Sequence, residues 1–291
     1  MPVAIEIRDL VRQFGKQTVL NGINLDIHEG ETMVIMGGSG CGKSTLLRHL
    51  IGSLKPTSGT IKLFGHDLSA LDEAGLDKVR SYFGILFQSG ALFNSMTVAE
   101  NVALPLREHT ELDGTTIDIM VKIKLEQVGL REHAEKFPSQ ISGGMKKRAG
   151  LARALALDPR ILFYDEPSAG LDPVTSAEID QLMLDLTRKL GVTSVVVTHE
   201  MDSAFTIADR MVMLDKGRAL RVDTRENFDA LRKTSEADAA KLSDTDRLIR
   251  QFLRGDAQGP ITERKAATNY AEDLLSTGKA AARIAAITPS R

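Results

Sequence analysis

The amino-acid sequence predicts an α/β fold with a buried parallel sheet, an antiparallel β subdomain, a helical subdomain and a C-terminal extension. Residues 32–36, 161–164 and 194–197 are short apolar or β-branched runs without alternation, which is typical of parallel strands covered on both faces. A glycine-rich loop follows the first of these runs. Residues 43–54 come next and carry leucines at helical spacing, so strand, loop and helix are predicted in that order.

The region around the first buried strand is predicted to be rich in β-structure. Residues 3–7 and 19–27 alternate between apolar and polar positions, and Gly15 marks a turn between them. Residues 59–64 form another short strand by the same criterion. These segments predict the antiparallel β subdomain.

A helical subdomain is predicted over residues 94–158. Residues 94–136 have mostly helical patterning, with breaks expected at Pro105 and Gly129, and residues 142–156 are predicted as a glycine loop that opens a helix.

The rest of the first domain is predicted to alternate helix and strand. Residues 179–190 are predicted as a helix between two buried strands, and residues 211–214 and 219–222 as a hairpin. We therefore assign residues 1–222 to one domain.

The character of the chain changes after about residue 223. Residues 227–232 and 246–253 could form short helices, residues 255–260 interrupt them, and the last thirty or so residues are alanine-rich with few core candidates. We interpret residues 223–291 as an extension, ordered only in part, that serves as a docking arm. Its expected apolar helix face consists of Leu248, Ile249, Phe252 and Leu253.

Composition excludes several classes of protein. Apolar residues make up 42% of the chain, enough for a core, and the net charge of −2 gives no general attraction for nucleic acid or anionic lipid. The one cysteine excludes an internal disulfide framework. We predict neither a signal peptide nor a membrane-spanning helix, so any action on a membrane would require a partner that spans it.

The loop after residues 32–36 fits the pattern G-x-x-x-x-G-K-[ST], which predicts a P-loop NTPase core. Its backbone N–H groups can surround phosphate oxygens at a helix N-terminus. Lys43 is predicted to reach the β- and γ-phosphates in catalysis, Ser44 to ligate Mg²⁺, and Thr45 to contact the α-phosphate. Cys41 is interpreted as a small filler. The predicted phosphate-binding residues are Gly37, Gly38, Ser39, Gly40, Cys41, Gly42, Lys43, Ser44 and Thr45.

The buried strand 161–164 leads into two carboxylates, Asp165 and Glu166. Beside a phosphate loop, such a pair is expected to divide two tasks. Asp165 would hold Mg²⁺ directly or through water, and Glu166 would polarise the attacking water.

A third motif narrows the choice among nucleotide-hydrolysing proteins. Ser142, Gly143 and Gly144 precede Met145 in the string ISGGM, with Arg148 and the run LARAL downstream. Here the chain resembles the ABC ATPase family, whose signature usually has glutamine at the Met145 position. The serine and the two glycines remain, and they are the groups that could donate to a γ-phosphate at a helix N-terminus.

The resemblance covers roughly residues 3–222 and implies roles for four more residues. Gln88 matches a loop that senses Mg²⁺ and the transmembrane partner. Asp172 matches a loop that touches the opposite subunit, and His199 matches the switch histidine that bonds the γ-phosphate. Phe14 stands where the family places an aromatic ring that stacks on adenine.

The resemblance also implies a pair of chains packed head to tail. Each ATP would then be held by Lys43 of one chain and by Ser142 of the other. ATP would join the two chains, and hydrolysis would remove the phosphate that bridges them.

A narrower resemblance concerns the transported molecule. Residues 87–93, 146–148, 251–260 and 269–275 are similar to Mla-type ATPases of Mce-associated phospholipid transport in Gram-negative envelopes. This implies a membrane permease, a periplasmic Mce-domain protein and a small STAS-domain regulator as partners. It also implies peripheral attachment to the cytoplasmic face of the inner membrane, and no nucleic acid partner.

Three other hypotheses remain open from the sequence. The chain could serve another ABC importer or exporter, such as an amino-acid or lipoprotein system. It could be a non-transport ABC protein of DNA repair or translation, although it lacks the long heptads, zinc-binding cysteines or second cassette of those proteins. It could also be an inactive nucleotide-binding scaffold, which the presence of Lys43, Asp165, Glu166 and His199 disfavours.

Overall fold

The computed structural model describes residues 2–263. One compact unit ends at Arg225 and a second begins at Glu226. The strands are β1 (Val3–Phe14), β2 (Gln17–His28), β3 (Thr32–Gly37), β4 (Ser58–Leu63), β5 (His66–Asp67), β6 (Phe83–Leu86), β7 (Ile161–Asp165), β8 (Thr193–Val197), β9 (Arg210–Asp215) and β10 (Arg218–Thr224). The helices are α1 (Lys43–Leu50), α2 (Glu73–Arg80), α3 (Val98–His109), α4 (Gly114–Gln127), α5 (Gly143–Ala154), α6 (Pro173–Leu190), α7 (Met201–Ile207), α8 (Arg225–Lys233), α9 (Glu236–Ala239) and α10 (Asp244–Arg254).

The antiparallel sheet has the strand order β2-β1-β4-β5. Its first two strands are longer than the alternating runs predicted, because the pairing of β1 with β2 shifts register at several points and continues to the turn, where Phe14 faces Gln17. Alternating residues such as Ile5 and Ile7 are fully buried. The sheet therefore covers one side of the apolar core.

The second sheet has the order β10-β9-β3-β8-β7-β6, and all neighbouring strands are parallel except β10 against β9. Every residue of β3 and β8 is buried, as their continuous apolar patterns predict. The predicted α/β class, with its antiparallel and helical parts, is confirmed.

The structure corrects the prediction that Pro105 breaks the first helix of the helical subdomain. Pro105 lies inside α3, which continues to His109. The helix is secured at its start by a capping box, in which Thr97 accepts from the Glu100 backbone and Glu100 accepts from the Thr97 backbone. A buried apolar face also supports it, so packing outweighs the hydrogen bond that proline cannot donate.

Several short elements were not predicted. These are α2, β6 and α7, together with the two-residue strand β5 and the single turn of α9. Each is too short to show a clear period, and α2 depends on the Asp72 side chain, which accepts a hydrogen bond from the Gly75 N–H.

The second unit contains α9, α10 and all but the first residue of α8, and its burial differs from that expected of a docking face. Leu248, Ile249 and Leu253 of α10 are buried, and Phe252 is partly buried. These side chains are therefore not a free apolar surface.

The segment 269–275, which contributed to the narrower resemblance, lies outside the described residues. Among the helices between residues 2 and 263, none combines the length and apolar character that a bilayer crossing requires.

Gly84 of β6 provides a test of this packing. A Cβ atom at Gly84 would lie 2.1 Å from the carbonyl oxygen of Ala154, at the end of α5. Gly84→Ala should therefore lower the free energy of unfolding by about 3 kcal/mol, since two backbone segments would have to separate. Gly114→Ala is the matched control, because nothing lies within 4 Å of the added Cβ. Its effect in urea denaturation should stay within about 0.5 kcal/mol, and equal stability of the two variants would contradict the packing.

Candidate nucleotide-binding site

The phosphate loop leaves the end of β3 and enters α1 at Lys43. The Lys43 ammonium donates to the carbonyl oxygens of Gly37 and Gly38 at 2.7 and 3.2 Å. It therefore lies over the loop whose N–H groups were predicted to receive phosphate oxygens. Ser44 is exposed and Thr45 half-buried in the first turn of the helix.

Gly37 shows why the beginning of this loop requires glycine. Its φ of +150° lies outside the range usual for other residues, and an added Cβ would be 2.3 Å from the Leu214 carbonyl oxygen. The Cys41 sulfur would lie 2.7 Å from the same Cβ. Cys41 is buried, and burial raises the pKa of its thiol, so the side chain stays protonated and fills space.

Asp165 ends β7, the strand two places from β3 in the sheet. Burial raises the pKa of its carboxyl group, and the charge of Glu166 raises it further. Lys147, Arg48 and Lys43 act in the opposite direction. The structure thus brings Asp165 within electrostatic reach of the lysine of the phosphate loop.

Glu166 and His199 are directly joined. His199 Nδ1 lies 2.8 Å from Glu166 Oε1, and the His199 backbone N–H donates to Oε2 at 3.3 Å. Glu166 has a φ of +49°, an uncommon backbone conformation that costs on the order of 1–2 kcal/mol for a residue with a side chain. Its own N–H donates to the Val197 carbonyl at 2.9 Å. The backbone of Glu166 thus adopts this conformation at the point where its carboxylate contacts His199, the histidine that follows β8.

Lys147 is a neighbour of Glu166 and His199. The sequence predicts no role for this lysine at the site. It is only 4% exposed, and its ammonium donates to the Glu166 carbonyl oxygen at 2.9 Å. Burial lowers the pKa of Lys147, while nearby carboxylates oppose that change. A signal was present in the sequence, since Gly144, Lys147 and Leu151 share the buried face of α5 at helical spacing.

The ISGGM loop caps α5. The Ser142 hydroxyl accepts from the Met145 N–H at 3.3 Å, so the exposed Ser142 and Gly143 stand at the N-terminal end of a helix. A Cβ on Gly144 would lie 2.5 Å from the Thr175 side chain. The loop that contains Asp172 is therefore close to the ISGGM loop of the same chain.

Asp172 has a structural task that the sequence prediction did not include. Its carboxylate caps α6 by accepting from the N–H groups of Val174 and Thr175, both at 3.1 Å. The Thr175 hydroxyl also donates to it and holds the pKa of Asp172 below its usual value. In the part of the chain that is described, no hydrogen bond or ion pair joins Ser142 or Asp172 to the phosphate loop.

Gln88 and Phe14 are accessible to a ligand. Gln88 is exposed in the loop after β6. Phe14, at the end of β1, is 46% exposed, and the Arg12 guanidinium lies 4.4 Å from its ring centroid. Arg12 also donates to the Lys55 carbonyl at 2.9 Å. One region of the Phe14 ring is thus covered by a fixed cation, and the rest remains free for stacking.

The profile of the ABC transporter family matches residues 20–169, just over half of the chain. The chain is 42% identical over 282 residues to the probable ribonucleotide transport ATP-binding protein mkl of Mycobacterium leprae, covering 96% of this chain and 78% of that one. It is 40% identical over 272 residues to the intermembrane phospholipid transport system ATP-binding protein MlaF of Escherichia coli K12, covering 93% and 96%.

Among solved structures, a dimeric ATP-binding cassette in a post-hydrolysis state, bound to ADP and phosphate, matches with a TM-score of 0.69. The two chains are 33% identical, and the match covers 76% of this chain and 98% of that one. The fold and the relatives agree. The chain belongs to the ABC transporter family, as an ATP-binding and ATP-hydrolysing subunit.

Proposed function

We propose that this chain powers phospholipid transport between the membranes of a Gram-negative envelope, as the ATPase subunit of an Mla-type transporter. The observation that carries the proposal is the end-to-end match to MlaF, which spans 93% of this chain and 96% of the relative. That match extends well beyond the residues shared with ABC transporters in general. It therefore supports this type of subunit over a generic cassette.

Within one chain, the proposed hydrolysis depends on the groups at the carboxyl edge of the parallel sheet. Lys43 would neutralise charge on the terminal phosphates, and the loop N–H groups would hold their oxygens. Glu166 would accept a hydrogen bond from the attacking water. His199 would keep that carboxylate in place, which is consistent with the 2.8 Å contact between the two side chains.

The residues fit Mg²⁺, which prefers oxygen ligands. Ser44 offers a hydroxyl, Asp165 a half-buried carboxylate and Gln88 an amide oxygen. These three side chains would hold the ion, which would supply positive charge to the phosphates during transfer. Burial is the main cause of the raised pKa of Asp165, and a bound cation would act against it.

Two copies of the chain would complete each site. Ser142, Gly143 and Gly144 stand at a helix N-terminus, which favours an anion, yet they make no described bond to their own phosphate loop. We assign them to the nucleotide of the opposite copy, with Asp172 in the adjoining loop. Phe14 would stack on the adenine of the nucleotide whose phosphates are held by its own copy. The dimeric cassette bound to ADP and phosphate supports the pairing of two copies.

A groove beside the Gln88 loop would receive the membrane permease. It encloses about 330 Å³ and includes two exposed aromatic side chains, Phe87 and Phe93. An apolar groove with a polar rim suits a helix from another protein. We propose a Mce-domain protein and a STAS-domain regulator as further partners, and a peripheral position on the cytoplasmic face of the inner membrane.

His199→Ala tests the hydrolytic role of the histidine. The turnover number for ATP should fall by about 100-fold, because Glu166 would lose the group that orients it. Nucleotide affinity should stay within about threefold, since Lys43 and the loop are unchanged. Steady-state ATPase assays and titration with a fluorescent ATP analogue measure the two quantities. His66→Ala, at an exposed position, is the control, and equal turnover of both variants would remove His199 from the mechanism.

Glu166→Gln tests both the proposed base and the proposed dimer. The variant should bind ATP without hydrolysing it at an appreciable rate, so ATP should hold two chains together. Light scattering after gel filtration should then show a dimer with ATP and a monomer without it. Glu132→Gln, exposed and distant in sequence, should behave like the native chain. Normal hydrolysis by the Glu166→Gln chain would exclude the assigned role.

The relative named for ribonucleotide transport supports a second candidate function, in which the same ATPase drives ribonucleotide transport. The match covers less of that protein than of MlaF, 78% against 96%. Isolation of the native complex from membranes separates the two. We expect a permease, a Mce-domain protein and bound phospholipid by mass spectrometry. A solute-binding protein, or a ribonucleotide as the only bound solute, would refute phospholipid transport.

A further inference from the structure

Lys147 is a buried cation that the proposed mechanism does not use. Its side chain is almost fully enclosed, yet an ammonium is costly to remove from water unless it is paired. Its hydrogen bond goes to the backbone carbonyl of Glu166, at 2.9 Å. The carboxylates of Asp165, Glu166 and Glu200 attract it electrostatically. The ammonium is therefore held among the acidic groups at the end of β7.

The contact fixes the backbone of Glu166 from a second direction. The Glu166 N–H is bonded to Val197 of β8, and its C=O is bonded to Lys147 of α5. Between these two bonds, the residue adopts its left-handed conformation, with a φ of +49°. Strained backbone persists where surrounding contacts determine it on both sides. Lys147 thus helps to set the direction in which the Glu166 carboxylate meets His199.

The same helix begins at the ISGGM loop. Ser142 caps α5, and Lys147 lies in its second turn, so a short rigid element joins the loop to Glu166. The helix is also attached at its other end, where Arg153 donates to the carbonyls of Gly90 and Ala91 at 3.1 and 2.8 Å. A displacement of residues 142–144 would therefore move the Lys147 ammonium relative to the Glu166 carbonyl.

We propose that Lys147 is a positioning residue that makes the alignment of Glu166 depend on what the ISGGM loop of the same chain contacts. The inference rests on the proposed function, in which that loop touches the nucleotide of the opposite copy. Occupancy of the second site would then be transmitted through α5 to the general base of the first. The two sites of a dimer would hydrolyse ATP in a coupled manner, although they share no side chain.

The test compares Lys147→Met and Lys147→Gln in the full-length chain. Methionine keeps an apolar stem without a donor, whereas glutamine keeps an uncharged donor one bond shorter. Lys147→Met should lower the turnover number about tenfold or more and abolish positive cooperativity in ATP, with nucleotide affinity changed less than about twofold. Lys147→Gln should lose only about threefold in turnover. A residue needed only for folding would change the melting temperature without separating turnover from affinity.

Lys146→Met is the matched control, because the neighbouring lysine is half-exposed and makes no described side-chain hydrogen bond or ion pair. Native turnover and native cooperativity in the Lys147→Met chain, as in the control, would overturn the proposal. If Lys147→Met does not fold, Lys147→Gln decides, and native turnover in that variant would refute the proposal. Failure of the underlying function is distinguishable, since ATP would then leave the Glu166→Gln chain monomeric in light scattering.

Discussion

The register of three parallel strands determines where the proposed catalytic groups lie. Val197 of β8 is level with Ile35 of β3 on one side and with Asp165 of β7 on the other. Because parallel strands all run in one direction, their carboxyl ends meet at one edge of the sheet. The phosphate loop, Glu166 and His199 all emerge from this edge. A shift of one strand by a single residue would separate Glu166 from His199 and exchange the side chains that pack on the two faces of the sheet.

The residues that sequence alone could assign are those carried by short contiguous motifs. Lys43, Asp165 and Glu166 each follow a buried strand closely, so the apolar pattern of that strand already predicts their position at the sheet edge. Lys147 could not be assigned in this way, because its role depends on contact between a helix and a strand end nineteen positions away in sequence. The same limit applies to the fold, where Pro105 remains within α3 through tertiary packing.

Short elements and helix caps are the other places where the structure differs from the sequence-based prediction. A seven-residue helix such as α7 spans too few turns to reveal a period, and its position depends on the preceding strand. Asp172 illustrates the converse case, since resemblance implied contact with a partner while the structure shows its carboxylate occupied in capping α6. If the Asp172 loop does contact a second copy, the backbone and the remaining carboxylate lone pairs are what it can offer.

The charges around the strand end indicate why hydrolysis would depend on pairing. Asp165 and Glu166 repel one another in a half-buried place, and Lys43, Arg48 and Lys147 only partly compensate. Lys43 and Arg48 belong to the phosphate-loop helix, whereas Lys147 belongs to the helix proposed to face the other copy. The cations near the acidic pair therefore come from two helices, one next to the chain's own phosphate loop and one proposed to face the other copy. Moving either helix would change the electric field at Asp165, so the acidic end of β7 would respond to both nucleotides of the proposed dimer without contacting the second.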